Sequence, residues 1–118
     1  MGMLTRDQIL SADDLKRETV AVPEWGGDVI VRTMTGTERD AFEASLQGGK
    51  GGKLNLANIR ARLVSRTAVD DAGARLFTEA DIEAVGGKSA AALDRCFAVA
   101  QRLNGLSAKD VEDLGKNS

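Results

Sequence analysis

The chain has no histidine, one cysteine, one proline and one tryptophan, and aromatic residues make up only 3% of it. Without histidine there is no Ser–His or Cys–His nucleophile pair and no imidazole to shuttle protons near neutral pH. Cys96 alone cannot close an intrachain disulfide, and one cysteine with no histidine excludes an ordinary structural zinc site. Long hydrophobic runs are missing as well, so no segment matches the ~20 apolar residues of a membrane-spanning helix. Near the N-terminus Arg6-Asp7 stands where a signal peptide needs its apolar core. Nor is there an excess of charge of one sign. Sixteen Lys+Arg face 18 Asp+Glu, for a net charge of −2, which gives no footprint for nucleic acid or an anionic membrane.

What is present is ordinary globular material. The chain has 118 residues, 42% hydrophobic and 29% charged, which suits a single domain over 1–118 able to bury roughly two thirds of its unfolded surface. These features together predict a soluble intracellular protein that binds something rather than catalyses a reaction, with no cofactor and no metal.

Along the chain the hydrophobic period changes twice. Thr5-Arg6-Asp7-Gln8 and Ser11-Ala12-Asp13-Asp14 have the chemistry of helix or turn starts, and a short first turn is expected over 12–16. The β-branched runs Thr19-Val20-Ala21-Val22 and Val29-Ile30-Val31 flank Pro23-Glu24-Trp25-Gly26-Gly27-Asp28 and read as a hairpin. Thr35-Gly36-Thr37-Glu38 is a capping box opening a helix that carries Phe42 and Leu46 and fails at Gln47. Four glycines and two lysines over 48–53 cannot pack a core, so 47–53 is expected to be a flexible loop. Asn55 is placed to cap the next helix, with Leu56, Ile59, Leu63 and Thr67 on one stripe. The stretch from Val69 to Phe77 reads as a turn that drops Leu76-Phe77 onto the core. Thr78 with Asp81 opens a short helix ended by Gly86-Gly87, and 89–104 carries the strongest helical pattern, with Leu93, Phe97, Ala100 and Leu103 on one side. A last short helix is expected from Ser107 through Leu114. The predicted fold class is therefore α+β and mostly helical. An N-terminal segment, 1–34, holds the β-hairpin, and four or five helices follow in 35–118. A lone hairpin is not stable, so it should lie on the helices or pair across a subunit interface.

Motifs with chemical meaning fail on inspection. Gly52-Lys53 and Gly87-Lys88-Ser89 look like the end of a phosphate loop, but the required earlier glycine is Gln47 in one case and Ile82 in the other. Asp70, Gly73 and Glu79 fit three places of a calcium loop whose first and fifth ligand places are Ala68 and Ala72. Arg60, Arg62 and Arg66 lack interleaved aromatics and read as a solvated helix face. Cys96, beside Phe97, reads as a small buried hydrophobe. Trp25 sits at a loop tip between Pro23 and two glycines. It either covers the helix-facing side of the hairpin or anchors a partner, as tryptophans at interfaces do.

The order of these features resembles the small tail assembly chaperones of long-tailed phages. The segments that carry the likeness are Ser11-Ala12-Asp13-Asp14-Leu15-Lys16, Val20-Ala21-Val22-Pro23-Glu24-Trp25-Gly26-Gly27, Val29-Ile30-Val31-Arg32 and Thr35-Gly36-Thr37-Glu38-Arg39-Asp40. In the second half they are Arg62-Leu63-Val64, Asp70-Asp71-Ala72-Gly73, Leu76-Phe77-Thr78, Asp81-Ile82, Leu103-Asn104 and the closing Lys116-Asn117. The resemblance implies a non-enzymatic phage or prophage protein of the host cytoplasm that escorts the tape-measure protein and is absent from the mature virion. It also implies a possible longer product made by frameshifting near Gly115-Lys116. Candidate partner contacts are Pro23, Trp25, Leu63 and Phe77, with self-association as a second kind of contact and neither nucleic acid nor membrane as partner. The rival reading is a structural virion component, such as a head–tail connector or tail completion protein. A DNA-binding regulator would need a basic recognition helix, which the sequence lacks.

Overall fold

The computed structural model describes residues 2–106. Helix α1, Arg6–Ser11, leads into strands β1, Arg17–Val22, and β2, Gly27–Arg32, joined through a 3₁₀ turn at Pro23–Trp25. Helix α2, Gly36–Ser45, is followed by a loop with a 3₁₀ turn at Lys50–Gly52. Then come α3, Ile59–Thr67, and the two-residue strand β3, Ala68–Val69. A 3₁₀ turn at Glu79–Asp81 runs into α4, Ile82–Gly86, and α5, Ala90–Leu103, follows. The fold is α+β, with the hairpin first and the helices after it. The expected helix at 107–114 and the Gly115-Lys116 dipeptide lie outside the described residues.

The hairpin pairs β1 and β2 antiparallel from Arg17↔Arg32 to Val22↔Gly27. Gly26, at φ +76°, takes the left-handed conformation that closes the 3₁₀ turn, a position glycine occupies without strain. Val20, Val22, Val29 and Val31 alternate onto one face, and α5 and α3 pack there. The hairpin is not left as two strands. β3 adds to β2 through Ile30↔Val69 and Val31↔Ala68, making a three-stranded sheet in the order β1-β2-β3. A two-residue strand has no period to read, so the sequence offered no signal for it.

The core joins both halves of the chain. Val22, Val31, Phe42, Leu46, Leu63, Val64, Cys96 and Ala100 are among its most buried members, each at most 1% exposed. Helix α3 lies at the centre, packed by α5, α4, α2 and β2. Two ion pairs, Arg95–Glu24 and Arg102–Glu18, tie α5 along the hairpin, and their order makes helix and first strand antiparallel. Asn104 closes the far end: its Oδ1 accepts from the Met34 N–H at 2.7 Å, and its carbonyl accepts from Arg39 at 2.8 Å.

Several local expectations need correction. The N-terminal helix is Arg6–Ser11, capped by Thr5 in a full capping box, and 12–16 is not helical. Ser11 ends that helix instead of starting a turn, and its hydroxyl donates to the Asp7 carbonyl at 2.8 Å. Asn55 does not cap α3. It accepts from the Ala57 N–H at 3.2 Å, while Asn58, at φ +54°, is the N-cap residue and gives no side-chain cap. Leu56 is therefore outside the helix and half exposed, and the buried stripe starts later. Leu76 and Phe77 do not both reach the core. The chain bends at Leu76, whose N–H is tied to the Ala68 carbonyl at 3.0 Å, and the two side chains part there. Phe77 packs against the core and Leu76 is 49% exposed.

The arginine reading is corrected most. Arg62 and Arg66 are 7% and 4% exposed, not a solvated face. Arg62 donates to the Ser45 carbonyl at 2.6 Å and to the Asn55 carbonyl at 2.6 Å. It thereby fastens the two ends of the Gly/Lys loop to α3, beside a direct Asn55 N–H bond to the Leu46 carbonyl at 2.6 Å. Arg66 donates to Glu79 at 2.9 Å and to the Arg62 carbonyl at 3.1 Å. Their planar forks meet backbone carbonyls and the Glu79 carboxylate, which is why these charges tolerate the interior. Arg60 alone faces solvent, paired with Asp94.

Candidate functional site

The tip of the hairpin and the start of the fourth helix meet to form an apolar groove. Its lining is Trp25, Phe77, Asp81, Ala84, Val85 and Lys88, around a volume of about 250 Å³. Three local features build it. Pro23 opens the 3₁₀ turn that swings Trp25 back against the core. Phe77 packs inward just before Thr78, and the Thr78–Asp81 capping box sets the direction of α4, whose Val85 is 5% exposed at the floor. Trp25 is half-buried, and its indole Nε1 is shielded from solvent without an acceptor.

Beside the groove Glu24 pairs with Arg95. The Glu24 carboxyl is held below its ordinary value, first by a hydrogen bond from its own backbone N–H and then by Arg95. Away from it, burial lowers the Arg62 guanidinium, with the nearby Arg66 charge acting in the same direction. Burial also raises the Cys96 thiol, which is fully buried among the α5 core residues.

Of the four candidate contacts, the structure brings Trp25 and Phe77 into one groove, with Pro23 exposed on the adjoining turn. Leu63 does not join them. It is 1% exposed in the middle of α3, a core position that a partner cannot reach. Ala84, Val85 and Lys88 line the groove and were not anticipated, because a five-residue helix shows too little periodicity to reveal its outer face. The candidate calcium loop is a turn: the Asp70 carboxylate accepts from the Ala72 and Ala74 N–H groups at 2.9 and 3.0 Å. Ser89 of the Gly87-Lys88-Ser89 sequence caps α5. Among the described residues no three His, Cys, Asp or Glu side chains gather as a metal set, and no helix is long and apolar enough to cross a membrane.

Asp81 and Lys88 are the charged residues of the groove lining. A family model for phage tail assembly chaperones matches residues 5–117. The chain belongs to that family. A solved structure of the bacteriophage HK97 tail assembly chaperone is similar in fold, with a TM-score of 0.59 at 19% identity, over 86% of this chain and 94% of that one. No curated protein sequence matches. The α+β order of hairpin and helices is thus the fold of a tail assembly chaperone.

Proposed function

We propose that the chain escorts the phage tape-measure protein during tail assembly, without catalysis, by holding an apolar segment of it in the Trp25–Phe77 groove beside Pro23. The observation that carries this reading is the groove itself, an apolar cleft with a shielded indole donor, on a member of a tail assembly chaperone family. An amphipathic helix laid into such a groove buries its apolar face, and a tryptophan in a pocket is the residue type that concentrates binding energy. Long helical clients aggregate through such faces unless they are covered. The reading has the protein, as a single folded unit, act in the host cytoplasm and stay out of the finished particle.

Co-expression with the tape-measure protein should raise the client's soluble yield and co-purify it. Trp25→Ala should weaken that complex by about 2 kcal/mol or more, roughly 30-fold, and Phe77→Ala should act in the same direction. Unchanged client solubility with no complex overturns the proposal. Mass spectrometry of purified particles tests the rest: a copy number matching tail or connector proteins would make the chain a structural virion component instead.

A further inference from the structure

Apart from the exposed arm that holds α1, an apolar surface lies uncovered on the side of the sheet turned away from the core. Thr19 pairs with Ile30 and Ile30 with Val69, so the three stand in one row across that outer face. Val69 is 2% exposed, yet it stands outside the core cluster to which the other buried hydrophobic residues belong. Half-buried Ile30 stands outside it too. Leu76, tied to β3 through its N–H, adds an exposed leucine to the same patch. Together these side chains floor a hollow of about 390 Å³.

The charges around this hollow are of one sign. Asp28, Asp70 and Asp71 line it, and no lysine or arginine does. Asp70 already accepts from the Ala72 and Ala74 N–H groups. Asp28 and Asp71 are exposed, and neither carboxylate has a hydrogen-bond or ion-pair partner among the described residues. The bases nearby are turned to other groups: Arg17 donates to the Asp71 backbone carbonyl at 3.2 Å, and Arg75 donates to the Ser65 carbonyl. An apolar floor beneath two free carboxylates suits a lysine or arginine, which lays its aliphatic stem on apolar surface and keeps its charged head at the edge. The hollow also shares a wall with the Trp25–Phe77 groove, since Leu76 lines the one and Phe77, the next residue, lines the other.

We propose that the outer face of the sheet holds a basic, amphipathic segment of the tape-measure protein, which continues over the Leu76–Phe77 wall from the apolar segment in the groove. An apolar side chain of the segment rests on Ile30, Val69 and Leu76, and its lysines or arginines pair with Asp28 and Asp71. The proposal rests on the escort reading above and adds the charge of the client: the groove selects apolar surface, and the sheet face selects positive charge. Pairs at an exposed rim are screened by salt, so this face gives the complex a salt dependence that the apolar groove does not.

Overlapping peptides that tile the tape-measure protein, titrated into the full chain by calorimetry, test this. The tightest binder should carry lysines or arginines beside its apolar residues, and its affinity should fall about tenfold between about 50 and about 300 mM salt. The double variant Asp28→Lys/Asp71→Lys alters two exposed positions, and circular dichroism should show it folded. It should bind that peptide about tenfold more weakly at the lower salt and lose most of the salt dependence. Trp25→Ala should weaken binding at every salt concentration and keep the dependence. A peptide with its basic residues replaced by glutamate should prefer the double variant to the wild type. Binding of the double variant with wild-type affinity and salt dependence overturns the proposal, as does a tightest binder without basic residues. A rim reversal that changes only the sedimentation of the chain by itself overturns it too, and would make this face a contact between copies. In each of these cases a client still weakened by Trp25→Ala leaves the escort reading intact, whereas a wild-type chain that binds neither peptides nor the whole tape-measure protein overturns both.

Discussion

Helices α1 and α3 are both short and both carry apolar and charged residues at helical spacing, yet their fates are opposite. In α1 every residue is exposed; in α3 seven consecutive residues, from Ala61 to Thr67, are buried. Their local signals run the other way. The exposed helix has a complete capping box, whereas α3 starts from a left-handed Asn58 that gives no side-chain cap. Local sequence therefore decided whether α1 forms, and tertiary packing decided that α3 does. A helix without caps persists when four neighbouring elements cover it, since burial outweighs the tenths to few kcal/mol of end effects.

The strongest test of this contrast is a matched pair of truncations. Leu63→Ala should lower unfolding free energy by about 3 kcal/mol, because a fully buried leucine leaves both lost contacts and a cavity. Leu10→Ala, at an exposed site, should leave it within about 0.5 kcal/mol. Urea titrations followed by circular dichroism compare the two, and equal losses would erase the distinction between core and arm helix.

Nearly as large an effect is expected at Arg62. Removing its guanidinium breaks the bonds to the Ser45 and Asn55 carbonyls and empties a buried site, so Arg62→Ala should cost about 2 kcal/mol. Hydrogen exchange should rise first in the 46–55 loop, whose neck that side chain closes. Arg60→Ala, one position before the buried run and paired only at the surface, should change stability by less than about 1 kcal/mol.

Caps sharpen the comparison at smaller scale. Thr35→Ala removes the cap of a helix that packs Phe42 into the core and should cost about 1 kcal/mol globally. Thr5→Ala breaks a cap of the same type, but α1 is joined to no core, so the loss should appear as local helix content with the unfolding midpoint unchanged. A shared shift in midpoint for both would show that α1 is coupled to the folded body.

The smallest effects are electrostatic and chemical. Glu24 has a lowered folded value, so its contribution is present above the ordinary carboxylate range and lost as pH falls through the lowered one. Glu24→Gln should therefore remove that small contribution at neutral pH, leave acid pH nearly untouched, and so flatten the acid limb of the stability curve. Cys96, raised by burial, should resist iodoacetamide in the native state at neutral pH and react once urea unfolds the chain. Reaction at the native rate of an exposed thiol would contradict its place in the core.

The hairpin, the Thr35 capping box, the loop, the Thr78–Asp81 start and the long α5 pattern were all legible, because each rests on neighbours a few residues apart. Trp25 as a candidate contact was legible from its setting between proline and glycine. The groove around it was not, since Phe77 and Val85 come from segments more than 50 residues along the chain and meet it only on folding. Leu63 shows the converse failure. Its helical stripe read correctly as apolar, but a periodic pattern does not say whether an apolar stripe meets the protein's own core or a partner.

Sequence by itself determined the local grammar here: which segments extend, which coil, where helices start, and which chemistries the missing histidine excludes. Only the tertiary structure decided that Arg62 and Arg66 go inside, that β3 completes the sheet, and that α1 stays out. The physical reason is range. Capping and periodicity act over about one helical turn, whereas burial of a charge depends on distant groups arriving to meet it. Arg62 is interior because the Ser45 and Asn55 carbonyls, from either side of a glycine-rich loop, reach its fork together.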